Sequence, residues 1–277
     1  MMKCVKTSIL AYAGWLTLAL SLLQCDLDHG LQVKKELNNI PHGIKGTLTF
    51  NGAWPENMAE ARLVAAANFP PEPSDPLDSF IFSDPIQIGV ETLDYGLMLN
   101  PASYQIIAVI FREKATSWDI ANILSVYSPL SSCTIIPDLS RAVEIESDTT
   151  VVEGVDISVD LTKGSIGGRV EITGEPPSGV KFAGIFAFKH PFNFNSLIPC
   201  GVALLPLDAD SLNYKMLVPA GDYTVSALAG ENISDFTRLR LIGNYTAPNN
   251  PSSPGVVRIG KNQNRSEISL KVDWSKY

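Results

Sequence analysis

The sequence predicts an all-β protein: two tandem antiparallel β-sandwich modules of about seven strands each, behind an N-terminal signal or anchor segment. Three observations support this class. Glycine and proline are frequent, with 20 and 19 residues among 277, which favours many turns. Charged residues make up only 18% and apolar residues 45%, which suits two domains that each bury a core. One order of short apolar runs also occurs twice along the chain.

The first 25 residues have the layout of an export signal. Lys3 and Lys6 precede an uncharged, mostly apolar run that ends at Cys25. The run resembles a bacterial lipoprotein signal, which implies that residues 1–24 are removed, that Cys25 is acylated and that residues 25–41 form a linker. An uncleaved anchor, at the lower limit of bilayer-spanning length, and conventional cleavage are the alternatives. A lipid or an anchor would hold the chain on a membrane, facing the periplasm or the exterior.

Two tyrosine motifs give the clearest sign of duplication. Tyr95 and Tyr104 recur as Tyr214 and Tyr223, each 119 residues later. In both copies a strand pattern leads into a Pro-Ala turn and out through the second tyrosine, which predicts a hairpin. Six ordered matches keep an offset of roughly 113 to 122 residues, so the chain is interpreted as a tandem repeat.

The repeat sets the predicted boundaries. The modules are placed at residues 42–162 and 164–277, with Lys163-Gly164 as a short hinge. Helix is expected to be sparse, and the best candidates are residues 56–61 and 116–124.

The second copy carries a motif with a family likeness. Pro-Ala-Gly-Asp-Tyr223-Thr-Val, preceded by Tyr214 and by the opening Gly-Arg-Val-Glu-Ile172, is similar to the transthyretin-like modules of the carboxypeptidase regulatory domain type. The first copy lacks the glycine and reads Pro101-Ala-Ser-Tyr104. The resemblance implies a sandwich that serves as an adhesive, spacer or accessory unit of secreted and surface-attached bacterial proteins, and seldom as an enzyme. An immunoglobulin-like sandwich is the alternative, since it shares most of these features.

Residue types that carry catalysis or bind metals are scattered. The three histidines are His29, His42 and His190, and no two have the spacing of a metal motif. Asp208, Asp210 and Asn213 are expected in one loop, where weak calcium binding is conceivable, but the rest of a calcium pattern is missing. We therefore expect no catalytic residue, no cofactor and no metal site.

Cys133 and Cys200 lie in the exported part, where an oxidising environment permits a disulfide. They occupy different places in the two copies, so a bond between them would cross from one module to the other and stiffen the pair. Two free, buried thiols are the expected state, and the disulfide is the alternative.

The net charge limits the classes of molecule that the chain can bind. Removing Lys3 and Lys6 with the signal leaves 19 of the 21 basic residues against 29 acidic ones, a net charge of −10 for a chain that begins at Cys25. Nucleic acid is thereby excluded as a partner, because phosphate binding needs concentrated Lys and Arg.

The sequence favours a non-enzymatic, membrane-anchored exported protein that acts as a binding, adhesive or spacer module of the cell envelope. Its expected partners are membrane lipid at the N-terminus and an envelope protein or glycan. Recognition is expected in the long loops at residues 69–85 and 247–255. The alternative is a hydrolase or hydrolase-accessory protein acting on extracellular polymer, for which Trp54 and Trp118 would form an aromatic platform.

Overall fold

The computed structural model describes residues 40–69, 77–191, 198–231 and 238–277. The predicted signal at 1–24, Cys25 and most of the predicted linker lie outside these ranges. Within them the chain forms 21 strands and three short 3-10 turns, so the all-β prediction is confirmed. A helix with the length and apolar character to span a bilayer is absent from these ranges.

Residues 42–162, called the first half below, contain ten strands. They are β1 (Gly43–Asn51), β2 (Met58–Ala66), β3 (Ile81–Ile86), β4 (Thr92–Leu97), β5 (Ala102–Tyr104), β6 (Ile106–Glu113), β7 (Ile123–Val126), β8 (Val143–Ile145), β9 (Val151–Val152) and β10 (Ile157–Asp160).

Residues 164–277, called the second half below, contain eleven strands. They are β11 (Gly164–Thr173), β12 (Phe182–Lys189), β13 (Gly201–Leu204), β14 (Ser211–Val218), β15 (Gly221–Gly230), β16 (Arg240–Asn244), β17 (Thr246–Ala247), β18 (Asn250–Pro254), β19 (Val256–Ile259), β20 (Asn264–Arg265) and β21 (Leu270–Asp273). The 3-10 turns are Ile120–Asn122, Leu139–Arg141 and Trp274–Lys276.

The two halves have the same sheet order. In the first half β10-β1-β4, with β9 beside β1, shares a core with β3-β2-β6-β7. In the second half β14-β11-β20, with β21 beside β11, shares a core with β13-β12-β15-β16, where β19 joins β15. Every strand pairing in the described ranges joins strands of one half. Residues 40–277 nevertheless form one compact unit, so the division into two independent modules stays a prediction.

The first strand of each half has a parallel neighbour. β1 runs parallel to β9 and β10, and β11 runs parallel to β20 and β21. The sheets that contain β1 and β11 are therefore mixed, whereas the sequence predicted antiparallel sheets; the sheets that face them are antiparallel as predicted. A parallel neighbour needs a long connection rather than a hairpin, and here the chain crosses the sandwich before its last strands return beside the first.

The Pro-Ala turns do not form hairpins, which corrects the sequence prediction. β4 pairs with β1, whereas β5 and β6 pair with β8 and β2, so the turn carries the chain from one sheet to the other. The turn between β14 and β15 does the same. Tyr104 and Tyr223 hold these corners, because each donates its hydroxyl hydrogen to a carbonyl four residues upstream, that of Asn100 (3.0 Å) and that of Pro219 (2.6 Å).

One sheet of each half is buried on both faces. Along β6, Val109 faces the main core of the first half, while Ala108 and Ile110 belong to a second apolar cluster on the opposite face. Along β12, Ile185 faces the main core of the second half, and Phe186 belongs to a separate apolar cluster on the opposite face. This explains why both strands read as continuous apolar runs rather than as alternating ones.

Both predicted helices are wrong. Residues 58–61 begin β2, because Ala61 and the alternating residues after it pair with β6 and fill the core. Within residues 116–124 the only helical element is the single turn Ile120–Asn122, capped by Asp119, whose carboxylate accepts the Ala121 N–H at 2.8 Å.

Candidate functional site

The two halves meet at a pocket, which we call the junction pocket. β13 and β14 are the last strands of their sheets, so the second half has an open side between them. The 3-10 turn Ile120–Asn122 and the start of β7, both from the first half, lie over this side. The space left between the halves measures about 150 Å³. Its lining is Phe69, Asp119, Ile120, Ala121, Ile123, Ile135, Ile136, Val202, Ala203, Leu204, Leu212, Asn213, Tyr214 and Lys215.

Strand edges form one wall of the pocket. Leu205 N–H donates to Ala183 O at 3.0 Å, so by alternation the backbone groups of Val202 and Leu204 point away from β12. At the start of β14, Asp210 O accepts the N–H of Ile172. By the same alternation the backbone groups of Asn213 and Lys215 point away from β11. The pocket thus combines apolar side chains with backbone donors and acceptors at its rim.

The charged side chains at the pocket have partners. Lys215 Nζ lies 2.8 Å from Glu113 Oε1, an ion pair between the halves. Asp119, the remaining charged lining residue, caps the Ile120–Asn122 turn. The pocket therefore presents a mostly apolar lining in which both charged residues already have partners, which suits an apolar ligand group.

A disulfide fixes the junction. Cys133, in the connection from β7 to β8, is bonded to Cys200, directly before β13, with Cα atoms 4.7 Å apart. Cys200 is buried in the core of the second half. The structure thus shows the alternative that the sequence left open, a bond that crosses between the halves, and not the expected free thiols.

Lys163 forms a second link at the junction. It does not lie in a free hinge, because its Nζ donates a hydrogen bond to the Leu124 carbonyl on β7 and Gly164 already belongs to β11. Burial lowers the pKa of the Lys163 ammonium from 10.5 to about 8, a shift that nearby Asp160 partly opposes.

The histidines and loop carboxylates that were considered as metal ligands do not come together in the described ranges. His42 donates from Nδ1 to the Leu99 carbonyl at 2.7 Å, His190 Nδ1 lies 3.5 Å from Thr224 Oγ1, and His29 is outside the described ranges. Asn213 lies within β14 and so does not share a loop with Asp208 and Asp210. No group of three potential metal ligands occurs in the part of the chain that the structure describes.

The tryptophans do not form one platform. Trp54 packs on Phe50, with ring centroids 4.6 Å apart, and donates to the Val90 carbonyl at 3.0 Å. Trp118 lies in the other cluster of the first half, 5.5 Å from Phe82, with the Arg62 guanidinium 5.9 Å from its ring. Each indole is therefore used for packing in its own cluster.

The loops predicted to carry recognition are partly strands. Residues 81–86 of the first form β3, and residues 70–76 lie outside the described ranges. The second holds the end of β17 and all of β18, a short antiparallel pair that lies between β16 and β19 in the chain. The junction pocket was missed because its walls come from strand edges of one half and a turn of the other. No local pattern identifies such a place.

Paired carboxylates are missing from the described pockets. The junction pocket holds Asp119, a groove along β14 and β20 holds Glu113, and a groove along β16 and β21 holds Glu171, each the single acidic residue of its lining. A glycosidase needs two carboxyl groups flanking one bond. No observation here favours the hydrolase interpretation.

No protein-family model matches the sequence, and no curated protein matches it either. Several solved structures are similar at low identity. The minor pilin of Streptococcus agalactiae has a TM-score of 0.25 at 10% identity, over 83% of this chain and 96% of that one. A candidate adhesin from Bacteroides ovatus has a TM-score of 0.24 at 10% identity, over 87% and 96%. The Bacillus anthracis TIE protein has a TM-score of 0.20 at 8% identity, over 83% of this chain and only 34% of its own length. Similarity at this level supports no conclusion about function.

Proposed function

We propose that this chain is an exported binding protein without catalytic activity, tethered to a membrane through Cys25, and that it binds its partner at the junction pocket. The observation that carries the proposal is the disulfide between Cys133 and Cys200 beside an apolar pocket that the two halves share. The bond supports export, because such bonds persist in oxidising compartments. It also holds both walls of the pocket in place, so little order has to be gained on binding.

The size and lining of the pocket suggest the ligand. An apolar cavity of about 150 Å³ takes up one benzene ring in other proteins. We infer that an envelope protein inserts one aromatic or branched apolar side chain here, with its backbone near the outward edges of β13 and β14. A glycan is the weaker candidate, because a polar ring would leave hydroxyl groups facing Ile120, Ile123 and Leu204.

The anchor and the family assignment remain parts of the proposal. The corner bonds of Tyr104 and Tyr223 are also a feature of immunoglobulin-like sandwiches, the alternative fold.

A small aromatic probe tests the pocket. Benzene titrated into protein with labelled Ile and Leu methyl groups should shift the methyl resonances of Ile123 and Leu204 saturably. Ala121→Phe fills the pocket from the 3-10 turn and should remove the shifts, whereas Leu130→Phe adds a ring at an exposed site outside the lining and should not. Shifts that persist in Ala121→Phe would refute the assignment of the ligand site.

The mass of the membrane-extracted protein tests the tether. A lipid-modified chain beginning at Cys25 is expected, and Cys25→Ser should release the protein from the membrane fraction or leave an unprocessed precursor. An intact Met1 in the wild-type protein would exclude the lipid anchor.

A further inference from the structure

The junction between the halves has two sides, and an uncovered equivalent of each exists elsewhere in the chain. In the junction, β7 and the turn before it cover the open side formed by β13 and β14. The repeated sheet order makes β16 the counterpart of β7, and β3 and β4 the counterparts of β13 and β14. The second half thus carries another covering face, and the first half carries another open side.

The strand register identifies the covering residue. Ile123 pairs with Ile110 of β6 next to a bulge, and Leu241 pairs with Leu228 of β15 next to the equivalent bulge of the second half. Ile123 is 2% exposed, packed in the second apolar cluster of the first half and lining the junction pocket, whereas Leu241 is 48% exposed. The second half therefore presents to solvent the apolar side chain that the first half buries.

The open side of the first half is apolar as well. β3 and β4 end their sheets, as β13 and β14 do. Ile81 on β3, Ile88 in the next turn and Met98 just after β4 are 37%, 42% and 55% exposed. Together with Leu241 on β16 and Val256 on β19, which pairs with β15 along the same edge as β16, they account for five of the six large apolar side chains that are exposed in the described ranges. Exposed apolar surface is therefore concentrated on these two faces, which is typical of interaction sites.

The two faces carry opposite charges near the positions that form an ion pair in the internal junction. Inside the chain Glu113 at the end of β6 pairs with Lys215 of β14. Glu231, the counterpart of Glu113 by the register of β6 and β15, is exposed. In the second half Lys215 of β14 pairs with Gly167 of β11. In the first half the equivalent pair is Gly96 of β4 and Lys45 of β1, so the lysine lies on β1, the strand next to β4.

We propose that a second copy of this chain is the partner for these faces. The face with Leu241 and Glu231 of one copy covers the β3–β4 side of the next, where Lys45 lies, and so repeats the internal junction between molecules. Such a head-to-tail contact leaves one free face at each end of a linear assembly, which can therefore grow beyond two copies as a filament or a ring. Because Cys133 and Cys200 have no cysteine counterparts at this contact, the association is noncovalent and reversible.

Sedimentation velocity of the full-length chain in detergent tests the proposal. The average mass should rise with concentration and pass beyond the dimer. Leu241→Asp should raise the dissociation constant at least about tenfold. Leu130→Asp, which changes an equally exposed leucine outside both faces, should leave the constant unchanged. A wild-type mass that is independent of concentration, that stops at the dimer or that is indifferent to Leu241→Asp overturns the proposal.

A charge exchange separates this contact from nonspecific association. Lys45→Glu and Glu231→Lys, each alone at low salt, place like charges at the contact and should weaken association. An equimolar mixture of the two variants restores opposite charges at every contact and should associate again as the wild type does. A mixture that sediments like the separate variants contradicts the assigned pairing.

Discussion

Tyr214 donates a hydrogen bond of 2.6 Å from its hydroxyl to the backbone carbonyl of Ile268, and this bond fastens the segment before β21 across β11. Tyr95 makes the equivalent bond, 2.5 Å long, to the carbonyl of Val155. In both halves a tyrosine on the fourth strand of the repeat thus holds the last strand in place beside the first. Burial raises the pKa of both phenols, so both remain donors at neutral pH.

Removing this hydroxyl should destabilise the fold. In Tyr214→Phe the carbonyl of Ile268 loses its phenolic partner, and the free energy of unfolding should fall by about 1–2 kcal/mol. Urea unfolding measures the change. Tyr277→Phe, which keeps the ring under Arg240 and removes a hydroxyl without this role, should change stability by less than about 0.5 kcal/mol. Equal losses in the two variants would contradict a specific role for Tyr214.

The carbonyl of Ile268 also requires a glycine at position 168 of β11. A Cβ at Gly168, which is paired with Tyr214, would lie 2.2 Å from Ile268 O. Gly168→Ala should therefore displace the last strands and cost about 1–3 kcal/mol, or prevent folding, as measured by urea unfolding. Gly179→Ala is the matched control, because its Cβ would meet nothing closer than 3.7 Å and should leave stability within about 0.5 kcal/mol. A tolerated Gly168→Ala would contradict the close approach.

The disulfide should contribute to stability by restricting the unfolded chain. Its cysteines are 67 residues apart, and Cys133→Ala with Cys200→Ala should lower the free energy of unfolding by about 2–4 kcal/mol. Reduction of the wild-type protein should produce the same change, which serves as the control. A peptide map under nonreducing conditions should contain the linked pair, and two free thiols at these positions would rule the bond out.

Lys163 should give stability an unusual pH dependence. Its ammonium has a pKa of about 8 in the folded chain and 10.5 as an ordinary lysine, so between these values the unfolded state binds the extra proton. Stability should therefore rise as the pH increases from about 8 towards 10. Tyr95, Tyr214 and Tyr223 act in the opposite sense above pH 10, because their raised pKa values keep them protonated in the folded state.

The comparison with Lys163→Met isolates this lysine. Unfolding free energies measured in steps from pH about 7 to 10 should rise more steeply for the wild type than for the variant. Lys271→Met, at an exposed surface position, is the control and should keep the wild-type slope. If the wild type and Lys163→Met have parallel pH profiles, the ammonium of Lys163 is not held in a buried site.

Some features of the fold were predicted correctly from the sequence, and others were not. The spacing of Tyr95 and Tyr214 predicts the repeat, and both do occupy equivalent positions on paired strands. The Pro-Ala turns were recognised but misinterpreted, because a turn followed by a strand has the same local pattern whether the strand pairs with its neighbour or crosses to the facing sheet. Residues 56–61 were predicted as helix, and the strand that begins at residue 58 was not recognised because its partner strand β6 lies far along the chain.

The junction pocket could not be predicted from the sequence. Leu204 and Ile123 are apolar strand residues like many others, and only the way the halves pack makes them walls of one pocket. Cys133 and Cys200 were expected to be free thiols, with a disulfide as the alternative, because their bond depends on how the β7–β8 connection folds over β13.

The order of apolar runs, turns and tyrosines determined by itself that this chain is all-β and repeats one strand order, since period and turn chemistry act over a few residues. Tertiary structure alone decided which strands pair in parallel, which side of the second half the first half covers and which apolar residues stay exposed. Those outcomes depend on surfaces assembled from distant segments, and Leu241 and Ile123 differ in exposure although they occupy equivalent positions on β16 and β7.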